Sequence, residues 1–254
     1  MFAQERLTRI RKLVRQHRRM TFAEVQKHVA VSPATLRRDL SELEQAGDLI
    51  RVHGGILDPA YARSEVSFDE RVVRQRAAKL AIAQAAAALV PPGATVLVDA
   101  GSTCLEAGKA LIGRADVKLI THSVALLQAA LLGEANVICL GGELRKVSGA
   151  LIGGTALGAL HAVHADIAFV GASGLEPDGG ISTTDLSETE MKRALLTRAK
   201  RKILLADASK WGSPSTVRFA EWREFDDWIV DQLPPKAELT AVKKCGVRVL
   251  RAGA

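Results

Sequence analysis

The sequence predicts a small α+β winged helix-turn-helix domain over residues 1–58, a linker over 59–70, and a larger α/β Rossmann-like domain with a mostly parallel sheet over 71–254. Three observations predict it. Ser32-Pro33-Ala34-Thr35-Leu36-Arg37-Arg38-Asp39-Leu40, followed by Arg51-Val52-His53-Gly54-Gly55, has the form of a capped helix and a two-stranded wing. Beyond residue 90, apolar runs of strand length alternate with helix-like segments. The net charge of +7 is uneven, because residues 1–58 hold 11 Lys/Arg against 7 Asp/Glu. Such an excess on a small domain suits a polyanionic partner.

A first helix is expected from about Ala3 to Arg18, with Leu7, Ile10, Leu13 and Val14 on one face and basic residues around the others. Thr21 caps a second helix, Phe22 to Val29, with Glu24 in its acid-favouring first turn. In the third helix Ser32 is placed to accept an orphan backbone N–H. Pro33 takes the first helical position, where its missing donor costs nothing. Leu36, Leu40 and Leu43 form its apolar stripe, and Gly47 closes it. Thr35, Arg37 and Arg38 lie off that stripe, where adjacent arginines suit phosphates and the O6/N7 edge of guanine. The alternative is a solvated charged face. Leu49–His53 reads as a strand, Gly54-Gly55 as a turn and Ile56-Leu57 as the return strand. This arrangement puts Ser32, Thr35, Arg37 and Arg38 in a major groove, with Arg51 and His53 of the wing on the phosphate backbone.

Periodicity fades from Asp58 to Phe68, and an Ala-rich helix is expected from Glu70 to Leu89, ended by Pro91-Pro92-Gly93. Strands are expected at Thr95–Val98, Lys118–Ile120, Val137–Leu140, Ile167–Val170, Ile203–Ala206 and Trp228–Val230, with Val247–Leu250 at an edge. Continuous apolar strands alternating with helices imply a parallel sheet covered on both faces.

Ligands of such sheets bind beyond the carboxyl ends of the strands. Here those ends read Asp99-Ala100-Gly101-Ser102-Thr103, Thr121-His122-Ser123, Gly141-Gly142-Glu143-Leu144-Arg145, Gly171-Ala172-Ser173-Gly174 and Asp207-Ala208-Ser209-Lys210. Gly101-Ser102-Thr103 before a helix is either an anion nest or a plain capping turn. Five polar ends on one edge predict a small polar ligand, and their hydroxyls, amides and lysine suit a phosphorylated sugar or polyol. The expected effector-binding residues are Asp99, Gly101, Ser102, Thr103, Thr121, His122, Ser123, Gly141, Gly142, Glu143, Arg145 and Lys210. Lys210 is the expected phosphate partner. Asp99 accepts sugar hydroxyls or fixes its loop; Arg145 pairs an anion or is an ordinary loop arginine. His122 reads as a hydrogen-bonding loop residue, and Glu188 with Lys192, four residues on, as a surface ion pair.

The three cysteines, Cys104, Cys139 and Cys245, form no C-x-x-C pair and no His/Cys cluster. They are expected as reduced thiols in a cytoplasmic protein without a metal site. Cys104 adjoins the nest, and a reactive thiol there is the alternative to an ordinary reduced one. The amino terminus is basic and amphipathic, unlike a signal peptide. The longest uncharged run, Leu80–Val98, is interrupted by Pro91-Pro92-Gly93, so no membrane span is expected.

From about Glu5 to Asp231 the chain resembles the DeoR family of bacterial transcriptional regulators. The resemblance is carried by Val31-Ser32, Thr35-Leu36-Arg37-Arg38-Asp39-Leu40, Leu43-Glu44, Gly47 and Arg51-Val52-His53-Gly54-Gly55, and then by Asp99–Thr103, Thr121–Ser123, Leu140–Arg145 and Asp207–Lys210. It implies a DNA-binding domain followed by a sensor domain similar in fold to sugar-phosphate isomerases, which binds a phosphorylated sugar as a signal without turning it over. The chain departs from the family pattern at His122, where Asn is usual, at Ala100–Thr103, where Ser-Gly-Thr-Thr is frequent, and at Ala208, where Ser is typical. Its loop Gly171-Ala172-Ser173-Gly174 lacks the carboxylates that the resemblance implies for the isomerases. The expectation is a repressor of a carbohydrate or polyol catabolic operon. It would be a homo-oligomer, dimer or tetramer, with double-stranded operator DNA and a phosphorylated effector as partners. No catalytic residue, cofactor or membrane partner is expected. A sugar-phosphate isomerase with an appended DNA-binding domain and a winged domain that binds protein are the alternatives.

Overall fold

Ser32 opens the third helix of the amino-terminal unit, its hydroxyl accepting the Thr35 N–H at 3.2 Å, with Pro33 as the first helical residue. A computed structural model describes residues 3–17, 19–52, 55–59, 66–178 and 180–253. It divides the chain into two units, Met1–Glu65 and Val66–Ala254.

The first unit runs α1 (Ala3–His17), β1 (Arg19–Thr21), α2 (Phe22–Val29), α3 (Pro33–Gln45), β2 (Ile50–Val52) and β3 (Gly55–Leu57). Thr21 and Glu24 form a reciprocal capping box on α2. Gly47 ends the α3 segment at φ +75°, a conformation that disfavours a side chain. Leu7, Ile10 and Val14 of α1 pack with Leu36, Leu40 and Leu43 of α3. Burying each such side chain contributes about 1.5–3 kcal/mol. The sheet order is β1-β3-β2, all antiparallel. Strand β1 was not expected, because three residues are too few to show alternation. Its closeness is built into Gly55, where a Cβ would lie 2.4 Å from the Met20 carbonyl oxygen. His53 and Gly54 of the expected wing lie outside the described residues.

The second unit begins with α4 (Phe68–Val73) and α5 (Arg76–Ala88). The single helix expected from Glu70 is therefore two. Arg74 is extended and Gln75 is left-handed at φ 51°. Lys79 reaches back from α5 to donate to the Arg71 carbonyl. That carbonyl would bond the backbone N–H of residue 75 in a continuous helix.

Seven parallel strands follow in the order β15-β14-β12-β9-β4-β5-β6. They are β4 (Thr95–Val98), β5 (Lys118–Thr121), β6 (Asn136–Cys139), β9 (Ala165–Gly171), β12 (Ala199–Leu205), β14 (Asp227–Val230) and β15 (Arg248–Arg251). Alternate residues serve opposite cores. Leu97, Ile120, Val170 and Leu204 join one cluster, while Val96, Val98, Leu119, Phe169 and Leu205 join the other. Both faces are covered, which accounts for the unbroken apolar runs. Helices α6 (Ser102–Lys109) and α7 (Val124–Ala130) follow β4 and β5, and α9 (Leu186–Thr197) precedes β12. From β4 the order runs to β5 and β6 on one side and to β9, β12, β14 and β15 on the other. The reversal lies between β4 and β9, where a crevice opens at the strand ends.

Two further pieces were not expected. One is the hairpin β7 (Glu143–Arg145) and β8 (Ala150–Ile152), followed by α8 (Gly154–His161). The other is an antiparallel sheet of β10 (Gly174–Glu176), β11 (Gly180–Thr183) and β13 (Val217–Ala220). Their strands are three or four residues long and set among glycines, below the length at which a period shows. Helix α10 (Lys236–Lys244) leads into β15. Among the described residues no helix is long and apolar enough to cross a membrane.

Candidate functional site

In the first unit α3 presents Arg37 and Arg38 exposed, with Ser32 and Thr35 at its start. The Ser32 and Thr35 hydroxyls lie 2.8 Å apart. Asp39, on the opposite side, is buried and held bidentately by Arg6 at 2.5 and 2.9 Å. This pair ties α1 to α3. Arg11 similarly bonds Asp48 at 2.5 Å. Two basic residues of α1 thus serve the fold. Arg51, half-buried, donates to the Ser41 hydroxyl at 3.0 Å and lies 5.8 Å from the Phe22 ring centroid. It braces the wing against α3.

In the second unit a small polar cavity opens at the β4/β9 reversal. Its floor is Asp99, 2 % exposed, directly after β4. One Asp99 oxygen accepts the Gly171 N–H at 2.9 Å and the Lys192 ammonium at 2.5 Å; the other lies 3.5 Å from His122 Nε2. Burial alone would push this carboxyl up, but Lys192 and His122 hold it well below the usual carboxylate range. Burial opposes the charge of Lys192 too, and Asp99 and Glu188 overcome it, raising its pKa. His122 Nδ1 is buried without a hydrogen-bond partner. Gly101, Ser102 and Thr103 line the cavity where α6 begins, and the first N–H groups of a helix have no partner within it.

The cationic corner of the cavity holds Arg71 of α4 and Lys210 of the short 3₁₀ turn Ala208–Lys210. Burial lowers the Lys210 pKa, Asp207 opposes, and Arg71 and Arg74 lower it further. Lys79 is lowered to about 8, first by burial, with Asp207 raising it and Lys210 and Arg71 lowering it. Asp207 gives one oxygen to the Ser209 N–H and hydroxyl, and its other oxygen is buried without a partner. Asp207 acts on Lys79 and Lys210, and with Arg71 beside them the cations outnumber it, so the corner favours an added anion.

Of the expected effector residues, Asp99, Gly101, Ser102, Thr103, His122 and Lys210 line this one cavity. Thr121 and Ser123 do not. The Thr121 hydroxyl donates to Val98 O at 2.7 Å, and Ser123 caps α7. Gly142 and Glu143 are exposed on the hairpin and Gly141 precedes it. Arg145 pairs with Glu188 at 3.2 Å and Asp185 at 3.5 Å, so its partners are protein carboxylates. The expected surface pair of Glu188 and Lys192 is overturned: both are buried, Lys192 bonds Asp99, Glu188 bonds Arg145 and Thr183, and both line the cavity. Arg71, Ser148 and Thr183 also line it without having been expected. Cys104 is buried, and burial first, then Asp99, push its thiol up, away from the reactive thiolate. Among the described residues no group of three or more His, Cys, Asp or Glu could hold a metal ion.

Two family descriptions match the chain: "DeoR-like helix-turn-helix domain" over residues 6–59 and "DeoR C terminal sensor domain" over 74–232. The chain is 33% identical over 251 residues to the HTH-type transcriptional repressor GlcR of Bacillus subtilis (strain 168), spanning 98% of this chain and 96% of that protein. It is 30% identical over 224 residues to the glycerol-3-phosphate regulon repressor of Escherichia coli (strain K12), spanning 88% of each. The ribose 5-phosphate isomerase A of Methanocaldococcus jannaschii is similar over 52% of this chain and 53% of its own, at 23% identity and a TM-score of 0.36, too remote to carry an assignment.

Proposed function

The chain belongs to the DeoR family of transcriptional regulators, and on that premise we propose that it represses a carbohydrate or polyol catabolic operon under control of a phosphorylated sugar or polyol. The observation that carries this reading is the cavity at the β4/β9 reversal, where a buried set of hydroxyl-binding groups adjoins a corner short of negative charge. The phosphate sits against Lys210 and the start of α6, where the helix dipole and backbone N–H groups favour an anion. The hydroxyls bond Asp99, Glu188 and the open Nδ1 of His122.

In the first unit α3 enters the major groove of the operator, with Arg37 and Arg38 on bases or phosphates. A homo-oligomer, dimer or tetramer, brings two such helices to repeated half-sites in the cytoplasm. The effector shifts the balance between DNA-binding and released conformers only by its preference for one of them, typically about 1–3 kcal/mol. The two relatives above are named as repressors, one of them of a glycerol-3-phosphate regulon, which supports both the sign of control and the phosphorylated ligand.

Thermal denaturation with a panel of sugar and polyol phosphates, each beside its unphosphorylated parent, tests this. A ligand at 100 times its Kd stabilises by about 2.7 kcal/mol, a rise of roughly 5–10 °C for a unit of this size. The expected result is a shift from one phosphorylated compound, lost in Lys210→Met. No shift from any phosphate contradicts the reading.

A further inference from the structure

We infer that Arg71 binds the anionic group of the effector, and that occupancy of the cavity thereby fastens α4, the first described helix of the larger unit, onto the rest of that unit. This rests on reading the cavity as the effector site. The guanidinium itself is the first observation. Nε and Nη2 of Arg71 are buried and have no hydrogen-bond partner. Buried donors are nearly always paired, and leaving one unmade costs more than the bond would add. Two adjacent N–H donors of a planar fork match two oxygens of a phosphate or carboxylate. The Phe68 ring, 5.8 Å away, steadies the group without satisfying those donors.

Position is the second observation. Arg71 lines the same cavity as Lys210, Ser102 and Thr103. Arg71 and Lys210 come from elements far apart in sequence, and they share no carboxylate that bonds both. An anion between them replaces repulsion with two charge-assisted bonds.

The third observation is how lightly α4 is held. It has six residues, none of them fully buried; Phe68 and Val72 pack against the core from its edge and Val73 is 70 % exposed. A helix this short has no stability of its own. The Phe68 N–H donates to Val147 O at 2.9 Å, Lys79 caps the Arg71 carbonyl, and the left-handed Gln75 uncouples α4 from α5. Beside two partly buried side chains and these two hydrogen bonds, a ligand gripped by Arg71 is a substantial addition. It also acts where the chain arrives from the DNA-binding unit, which gives the ligand a route to the linker.

The test uses the full chain with inorganic phosphate as probe, measuring affinity by calorimetry and amide hydrogen exchange along α4. Arg71→Met is expected to weaken phosphate binding about tenfold or more, with partial recovery in Arg71→Lys. In the wild type, saturating phosphate is expected to slow exchange at residues 69–74. Equal affinity in wild type and Arg71→Met, or unchanged α4 exchange at saturation, overturns the inference and leaves the site reading standing. If the wild type binds neither phosphate nor any sugar phosphate, both fall. Should Arg71→Met not fold, the wild-type exchange result decides alone.

Discussion

The Lys192 ammonium lies 2.5 Å from the Asp99 carboxylate, joining the middle of α9 to the end of β4 across 93 residues of sequence. The same ammonium donates to Gly171 O at 3.1 Å, and the same carboxylate accepts the Gly171 N–H at 2.9 Å. One buried ion pair thus fixes both strand ends at the reversal. Removing one partner leaves a buried charge uncompensated, so Lys192→Met or Asp99→Asn is expected to cost about 3–5 kcal/mol in denaturant unfolding. The pH dependence follows from the shifts. The folded pKa of Asp99 lies below its unfolded value of ~3.9, so its contribution is full at neutral pH and lost as pH falls below that value. Lys192 is raised above ~10.4, so its contribution is lost only as pH rises through the folded pKa. The stability gap between wild type and Lys192→Met should be flat from about pH 5 to 9 and shrink in acid. A gap that widens in acid contradicts the pairing.

Anion binding carries its own pH signature. Lys79, lowered to about 8, and Lys210, also lowered, lose charge as pH rises. A phosphate monoester is already a dianion above its second pKa of ~6. Effector affinity should therefore fall as pH rises through about 8, and Lys79→Met should flatten the profile. Calorimetric titration across that range checks it; affinity that rises with pH speaks against a cationic corner.

Gly142 tests a different point. Its φ is +113°, and a Cβ there would lie 2.4 Å from Ile152 O and 2.9 Å from the Ala156 Cβ. Gly142→Ala is expected to destabilise by about 2 kcal/mol or more through backbone strain and the clash. Once folded, its effector affinity should be near that of wild type. A stable variant with lost affinity would return Gly142 to the ligand site.

On the DNA side, Arg37→Ala should weaken operator binding by about 1–3 kcal/mol and relax preference at one base pair if it reads a guanine. Arg6→Met should instead lower thermal stability, because Arg6 holds the buried Asp39, while leaving the salt dependence of binding close to wild type. Anisotropy titrations at several salt concentrations on a selected operator separate the two. Unchanged affinity in Arg37→Ala sinks its assigned role.

Much of this was legible in the sequence because it is local. Ser32 and Pro33 cap α3 by adjacency, and the β4 strand with Asp99 and Gly101-Ser102-Thr103 reads directly from an apolar run meeting a polar turn. The cavity's other half is not local. Glu188 and Lys192 have the spacing of a helical surface pair, and nothing within α9 reveals that each instead meets a residue tens of positions away. Arg71 fell in the first turn of the helix expected from Glu70, and nothing in that stretch reveals that the helix breaks at Arg74-Gln75 and that the guanidinium lines the cavity. Thr121, Ser123 and Arg145 carry the right chemistry at strand ends, but each is engaged by a neighbour. A strand end brings a residue near the crevice without deciding which way its side chain turns.

If a phosphorylated ligand in the cavity controls the hold on DNA, its binding changes the affinity for operator. The most direct test is operator affinity of the full chain, by anisotropy, with and without the phosphate that most raises its melting temperature. The account predicts a change of about 5–150-fold, the size of a typical coupling, abolished in Lys210→Met while that variant still binds operator. Affinity that stays the same with the cavity saturated would contradict it.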